Sequence, residues 1–198
     1  MILIISGPTA VGKSHLCAHI EQLGVPFITP YTTRDMRPGE RNGRDYHFVT
    51  KVEFQAMVTS RQIGNWDYAM SNYYGTSRAE LIAAIGSDEL YVVHCLARMA
   101  VRILHQWPQR VWSVSLMPES KDMLLTRLAT RDMTGSERLQ RELHIKEESE
   151  HAVMFDQVIP TTSDNSAQAL LSQIVEAVLR SSSKAPAWSQ AVTRLQLP

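Results

Sequence analysis

The sequence lacks several features that mark particular classes of protein. Its two cysteines, Cys17 and Cys95, show no metal-ligand spacing and no disulfide framework, so we expect both to be reduced and buried. Basic and acidic residues balance at 20 each, and no overall charge draws the protein to nucleic acid or to a membrane surface. No apolar run is long enough to cross a bilayer, there is no internal repeat, and the N-terminus shows neither a basic region nor a cleavage site. These absences, with a length of 198 residues, favour one domain, a cytoplasmic location and no partnership with nucleic acid or membrane.

What the sequence does contain is a phosphate-binding pattern near its start. Residues 7–14 read G-x-x-x-x-G-K-S, after the apolar run 2–5 and before a helix-like segment, 14–22. A strand, a glycine loop and a helix in this order are the context that the motif needs. The glycines let successive N–H groups surround a polyphosphate, Lys13 can reach the β- and γ-phosphates, and the Ser14 hydroxyl can ligate Mg²⁺. We therefore predict a site for ATP and Mg²⁺ formed by Gly7, Thr9, Ala10, Val11, Gly12, Lys13 and Ser14.

A second basic cluster follows in a turn-rich stretch, residues 30–49. Four arginines fall within eleven positions, at 34, 37, 41 and 44, and hydroxyl groups at 32, 33 and 46 flank them. A run of charged residues like this one usually belongs to a solvent-exposed loop without a binding role. Close to a phosphate loop, guanidinium forks with hydroxyl donors also suit a second phosphate group.

Two motifs give the chain a family resemblance. Residues 32–49 read T-T-R-x-x-R-P-G-E-x-x-G-x-D-Y-H-F-V, and residues 72–76 read N-Y-Y-G-T. Behind a phosphate loop, they resemble guanylate kinase, and the resemblance covers most of residues 1–180. It implies an α/β P-loop kinase with a core parallel sheet (1–29, 78–126 and 149–180), an inserted nucleotide-binding subdomain (30–77) and a mobile lid (127–148). Residues 181–198 lie outside it as a C-terminal tail.

The resemblance also implies which residues contact the substrates. The residues that match the family's acceptor-binding positions are Arg34, Arg37, Tyr46, Tyr74 and Thr76, of which the first four hold the acceptor's phosphate and the last faces the guanine carbonyl. The residues that match positions at the transferring phosphoryl group are Lys13, Arg131 and Arg141. For the arginines that follow residue 126, the alternative is helix-surface pairing with nearby glutamates.

The sequence departs from the family pattern at positions that, in the family, contact the acceptor's phosphate or a nucleotide base. Pro30 replaces a serine that contacts the acceptor phosphate, and Asn65 and His94 replace the two carboxylates that read guanine. Thr161 and Thr162 stand where an asparagine–aspartate pair lies near the ATP base. Because carboxylates only accept, they suit the two donors of guanine, whereas an asparagine or a neutral histidine also donates. We keep Asn65 and His94 in the predicted acceptor site and expect GMP to be a poorer substrate than it is for an ordinary guanylate kinase. The alternative is that both side chains only pack or bond to the backbone.

The remaining elements follow from periodicity. The pattern predicts a short strand at 25–28 and a core strand at 111–116, with helices at 97–106 and 167–179. The tail is either disordered or anchored through Trp188 and Leu195 to a partner subunit of a homodimer.

Three functions are consistent with these observations. The first is ATP-dependent phosphoryl transfer to a small phosphorylated acceptor of the purine nucleoside monophosphate class: GMP, dGMP or a modified purine nucleotide. The second is a sugar-phosphate kinase resembling ribose 1,5-bisphosphate phosphokinase, which needs no guanine-reading carboxylates. The third is a non-catalytic module that binds a phosphorylated protein, and the intact phosphate loop at Gly12, Lys13 and Ser14 speaks against it.

Overall fold

The structure is a computed structural model of the whole chain, and it describes all residues except 121, 125, 127–133, 163–164, 182–187, 189, 193–194 and 196–198. The helices and strands of the described residues are β1 (Ile2–Ser6), α1 (Lys13–Gln22), β2 (Tyr31–Thr32), β3 (His47–Phe48), α2 (Lys51–Thr59), β4 (Ile63–Ala69), β5 (Asn72–Ser77), α3 (Arg78–Gly86), β6 (Tyr91–His94), α4 (Ala97–Gln106), β7 (Val111–Pro118), α5 (Gly135–Ala152), β8 (Gln157–Thr161) and α6 (Ala167–Arg180).

A parallel sheet forms the centre of the molecule, in the order β6-β1-β7-β8. Strand β1 is buried along its whole length, because it is an inner strand with apolar groups packed on both faces. Alternate residues divide between the faces: Leu3 and Ile5 pack with one apolar cluster, and Ile2 and Ile4 with the other. The carboxyl ends of β1 and β6 therefore meet at one edge, where open α/β sheets bind ligands.

A second sheet, in the order β3-β2-β5-β4, comes from residues 31–77. Its β2–β5 and β4–β5 pairs are antiparallel, and β2 and β3 are parallel. This is the stretch in which the inserted subdomain was placed from the resemblance, and the division into core, insertion and lid stays a prediction.

Most local predictions agree with these elements. Helix α4 has the predicted bounds, while β7 and α6 extend slightly beyond theirs. The predicted strand at 25–28 is absent as a strand: only Phe27 forms an isolated bridge, to Val92. No described helix has the length and apolarity needed to span a bilayer.

Two large apolar side chains from the described part of the C-terminal tail pack on their own chain. Trp188 and Leu195 are buried in the cluster that holds Leu3 and Ile5, and the ring centroids of Trp188 and Trp112 lie 6.1 Å apart. These two side chains therefore pack on the apolar face of their own sheet and do not serve as an exposed anchor, while a homodimer stays a prediction.

Candidate active site

The phosphate loop turns sharply between β1 and α1. Gly7 has φ 132°, and a Cβ atom there would lie 2.2 Å from the carbonyl oxygen of Leu116. Gly12 has φ 111° at the start of α1, which is also unfavourable for any L side chain. No side chain caps this helix, so its N-terminus is available to an anion. The two glycines of the motif are therefore required by the loop geometry itself.

Lys13 and Ser14 begin the helix at the edge of a cavity. The Lys13 Nζ donates to the carbonyl oxygens of Gly7 and Pro8, at 2.5 and 2.8 Å, and so folds back along the loop. Ser14 is exposed and lines the cavity. Val11 differs from the other predicted loop residues because its side chain is buried in the apolar core.

A buried carboxylate, which the sequence did not indicate, ties this loop to α5. One Glu148 oxygen accepts from the Gly7 N–H and the Ser6 hydroxyl, both at 3.0 Å, and the other accepts from the Ala97 N–H at 2.8 Å. Glu148 is 3% exposed. Because one side chain joins β1, the loop and the start of α4, its role is to fix the phosphate loop against the rest of the core.

Two further side chains of α5 reach the same region. Arg141 Nη1 donates to the Thr9 hydroxyl at 3.3 Å, which places this predicted residue beside the phosphate loop. His144, one turn later, is buried and lines the cavity, and its burial lowers its pKa. Sequence reasoning missed His144. The predicted residue Arg131 lies outside the described residues.

Part of the second basic cluster lines the same cavity as the phosphate loop. Arg34 forms a bidentate ion pair with Glu40, at 2.6 and 2.7 Å, and its guanidinium carbon lies 5.0 Å from the centre of the Tyr46 ring. Burial alone would lower the pKa of Arg34, but the Glu40 contacts outweigh it and raise that pKa. Glu40 also accepts from the Arg37 backbone N–H at 2.8 Å. Glu40, another residue that sequence reasoning missed, thus organises both arginines.

Tyr46 and Tyr74 line the cavity together with this cluster. Their ring centroids lie 6.2 Å apart, and burial raises the pKa of both phenols. Both hydroxyls are therefore protonated near neutral pH and can donate to a phosphate.

His94 ends strand β6 between two aromatic rings, those of Tyr46 at 4.9 Å and Phe27 at 5.5 Å. Burial, with the positive charge of Lys13, lowers the pKa of His94 to about 4, while a hydrogen bond to the Asp45 backbone acts in the opposite direction. The ring is therefore neutral near pH 7, and in a neutral imidazole one nitrogen donates and the other accepts.

One cavity of about 360 Å³ joins these groups. The predicted site residues that line it are Gly7, Thr9, Ala10, Gly12, Lys13, Ser14, Arg34, Arg37, Tyr46, Tyr74 and His94. Pro30 also lines it and offers no side-chain donor.

Asn65 and Thr76 do not line this cavity. Both are buried, and the Thr76 hydroxyl donates to the Asn65 carbonyl oxygen at 3.4 Å. The Asn65 amide donates to the Met99 carbonyl oxygen at 3.1 Å and accepts from Arg102 Nε at 3.0 Å. The structure therefore separates these two predicted acceptor contacts from the rest of the site, with their side chains bonded to protein groups.

Comparisons with known proteins agree with this architecture. The family model of guanylate kinase matches residues 1–178. A guanylate kinase from Dechloromonas aromatica is 35% identical over 187 residues, which cover 91% of this chain and 89% of the relative. One from Symbiobacterium thermophilum is 35% identical over 147 residues, 72% of this chain and 68% of the relative.

Among solved structures, the crystal structure of guanylate kinase from Anaplasma phagocytophilum superposes with a TM-score of 0.71 at 21% identity, covering 100% of this chain and 96% of that one. The prediction of an α/β P-loop kinase fold with a parallel core sheet is confirmed. The chain belongs to the guanylate kinase family.

Proposed function

We propose that this protein transfers the γ-phosphoryl group of ATP to a purine nucleoside monophosphate, with GMP as the leading acceptor. The observation that carries the proposal is that two phosphate-binding sets share one cavity. One set is the loop with Lys13, and the other consists of Arg34, Arg37, Tyr46 and Tyr74. Membership of the guanylate kinase family adds support.

The phosphate loop would bind the donor. Backbone N–H groups of the loop and the uncapped start of α1 would surround the ATP phosphates, and Lys13 would exchange its loop carbonyls for phosphate oxygens. Arg141 would place a further cation beside them, since it already contacts Thr9. Arg131 keeps its proposed role at the transferring group on the basis of the family match alone.

The second basic cluster would bind the acceptor's phosphate. Arg34 and Arg37 would supply charge, and the protonated phenols of Tyr46 and Tyr74 would donate hydrogen bonds. Glu40 would hold the Arg34 fork in one orientation through its bidentate contact. Phosphoryl transfer depends mainly on alignment and charge neutralisation, so these contacts would present the acceptor in line with the donor.

The residues at the loop are compatible with Mg²⁺. Among the described residues, no cluster of three or more histidine, cysteine or acidic side chains is arranged to hold a metal. Mg²⁺ is commonly bound by one or two protein oxygens together with substrate phosphates and water, and the exposed Ser14 hydroxyl suits this. Ser14 would hold the ion, which supplies positive charge between the donor phosphates.

The test is to incubate the protein with ATP, Mg²⁺ and GMP and to separate the nucleotides by chromatography. We expect ADP and GDP in equal amounts, and neither product above background from the Lys13→Ala variant with an unchanged circular dichroism spectrum. ADP without GDP would show an ATPase, and a Lys13→Ala variant as active as wild type would show that the donor site is misplaced.

A further inference from the structure

Two side chains of helix α5 touch the phosphate loop, and His144 lies between them in the sequence. Arg141 Nη1 donates to the Thr9 hydroxyl at 3.3 Å, and the Glu148 carboxylate accepts from the Gly7 N–H at 3.0 Å. His144 comes three residues after the first and four residues before the second, so all three side chains lie on one face of the helix. That face is turned towards the loop, and His144 lines the active-site cavity together with the loop.

The imidazole of His144 has unused hydrogen-bonding capacity. The residue is 6% exposed, and its Nδ1 atom is buried without a hydrogen-bond partner among the described residues. Its Nε2 atom lies 3.7 Å from a Glu148 carboxylate oxygen, which is beyond hydrogen-bond distance. A buried polar group without a partner is uncommon and costs free energy, so this ring beside the donor site is a candidate contact for a substrate.

Burial and four charged side chains determine which form the His144 ring takes. Burial has the largest effect and lowers the pKa of His144, Glu148 and Glu147 on the same helix act to raise it, and Lys13 of α1 and Arg98 of α4 act to lower it. The ring is therefore neutral near pH 7 in the protein alone. Donor phosphates would shift this balance towards the imidazolium, because they neutralise Lys13 and add negative charge beside the ring.

We propose that His144 is a further contact for the donor phosphates, which takes up a proton from solvent when ATP binds and holds the phosphates as an imidazolium. This inference deepens the proposed function and rests on it, because the donor is the ATP assigned to the loop. The imidazolium has two N–H donors, one for the Glu148 carboxylate and one for a phosphate oxygen, whereas the neutral ring has a single one. ATP and the proton therefore bind together, and each strengthens the binding of the other.

Calorimetric titration of the protein with ATP and Mg²⁺, without acceptor, counts the protons taken up on binding when it is repeated in buffers of different ionisation enthalpy. A histidine that is neutral before binding and charged afterwards takes up as much as one proton. Wild type at pH 7 should take up at least about 0.3 proton per ATP bound, and the His144→Gln variant should take up less by that amount.

The dissociation constant of ATP gives an independent measurement. Loss of a charge-assisted contact should raise this constant in His144→Gln about tenfold or more at pH 6.5. The difference from wild type should narrow as the pH rises to 8.5, because the ring of wild type then no longer gains the proton. A side chain that only packs would change the affinity for ATP equally at both pH values.

His151→Gln is the matched control. His151 is two turns later on α5, its Nδ1 atom lies 2.8 Å from the Glu147 carbonyl oxygen, and it is not among the residues that line the active-site cavity. Its proton uptake and its affinity for ATP should equal those of wild type. Should His144→Gln not fold, as judged by its circular dichroism spectrum, His144→Asn takes its place, and the proton count of wild type depends on no variant.

Three results overturn the inference: a wild type that binds ATP without proton uptake, a His144→Gln protein with the proton uptake of wild type, or a loss of affinity that is equal at pH 6.5 and pH 8.5. Each of them leaves the proposed function standing, since ATP still binds and its phosphoryl transfer to GMP is measured separately. A wild type that binds no ATP overturns the proposed function and this inference together.

Discussion

Replacing Glu148 with glutamine should weaken both the fold and the phosphate loop. The carboxylate accepts from the Gly7 N–H, the Ser6 hydroxyl and the Ala97 N–H, in a site that water barely reaches. Glutamine has the same shape but only one acceptor oxygen. Whichever way its amide turns, an NH₂ group faces a donor from Gly7 or Ala97, and one buried N–H loses its partner.

The size of this effect follows from the contacts. An unsatisfied buried donor costs about 1–3 kcal/mol, and loss of charge assistance at the remaining bonds brings the total to about 2–4 kcal/mol. For a chain of this size the melting temperature should fall by on the order of 10 °C. Differential scanning fluorimetry measures this, and steady-state kinetics should show a larger rise in KM for ATP than for the acceptor, because Gly7 belongs to the donor loop.

Glu150→Gln is the matched control on the same helix. Glu150 is exposed and lies 3.9 Å from Lys146, so this pair contributes less than about 1 kcal/mol. A Glu148→Gln protein that melts within about 1 °C of both wild type and Glu150→Gln would refute the assignment of Glu148 as the anchor of the loop.

Three further predictions concern the site. Lys13→Ala should bind the acceptor normally and yet lose phosphoryl transfer. Isothermal titration calorimetry with GMP measures the binding, and an ADP-release assay measures the transfer. Loss of GMP binding would contradict the prediction. Arg34→Ala and Arg37→Ala should each raise the acceptor KM by about tenfold or more, since a charge-assisted contact contributes roughly 1.5–3 kcal/mol, and an effect on ATP affinity alone would assign the cluster to the donor. Because the pKa of His94 is lowered to about 4, the unfolded chain takes up its proton first. Stability should therefore fall by up to about 3 kcal/mol between pH 6.5 and 4. Urea unfolding of wild type and His94→Gln should show a smaller loss in the variant, and equal losses would contradict the assignment.

The sequence predicted best what is determined locally. The phosphate loop is recognisable because glycine is the residue that tolerates φ 132° and φ 111° at positions 7 and 12. Helix α4 was predicted with its bounds because its apolar residues repeat on one face. Arg34, Arg37 and Tyr46 lie close together in one turn-rich segment of the sequence, which predicted that they belong to one site. All three line the active-site cavity.

What the sequence did not reveal depends on contacts between distant segments and on strand register. Glu148 lies 141 positions from Gly7, and a glutamate on a charged helix gives no sign of such a partner. The pairing of β4 with β5 shifts between Ile63 and Asn65, and such an irregularity changes the direction of the side chains that follow. The sequence match at Asn65 and Thr76 carries no information on this register.

The most direct test of the central claim is a panel of acceptors assayed with ATP and Mg²⁺, in which kcat/KM is measured for GMP, dGMP, IMP, AMP and ribose 1,5-bisphosphate. We expect the highest value for GMP, the leading acceptor, and loss of all activity in Lys13→Ala. Efficient phosphorylation of ribose 1,5-bisphosphate with none of any nucleotide would contradict it.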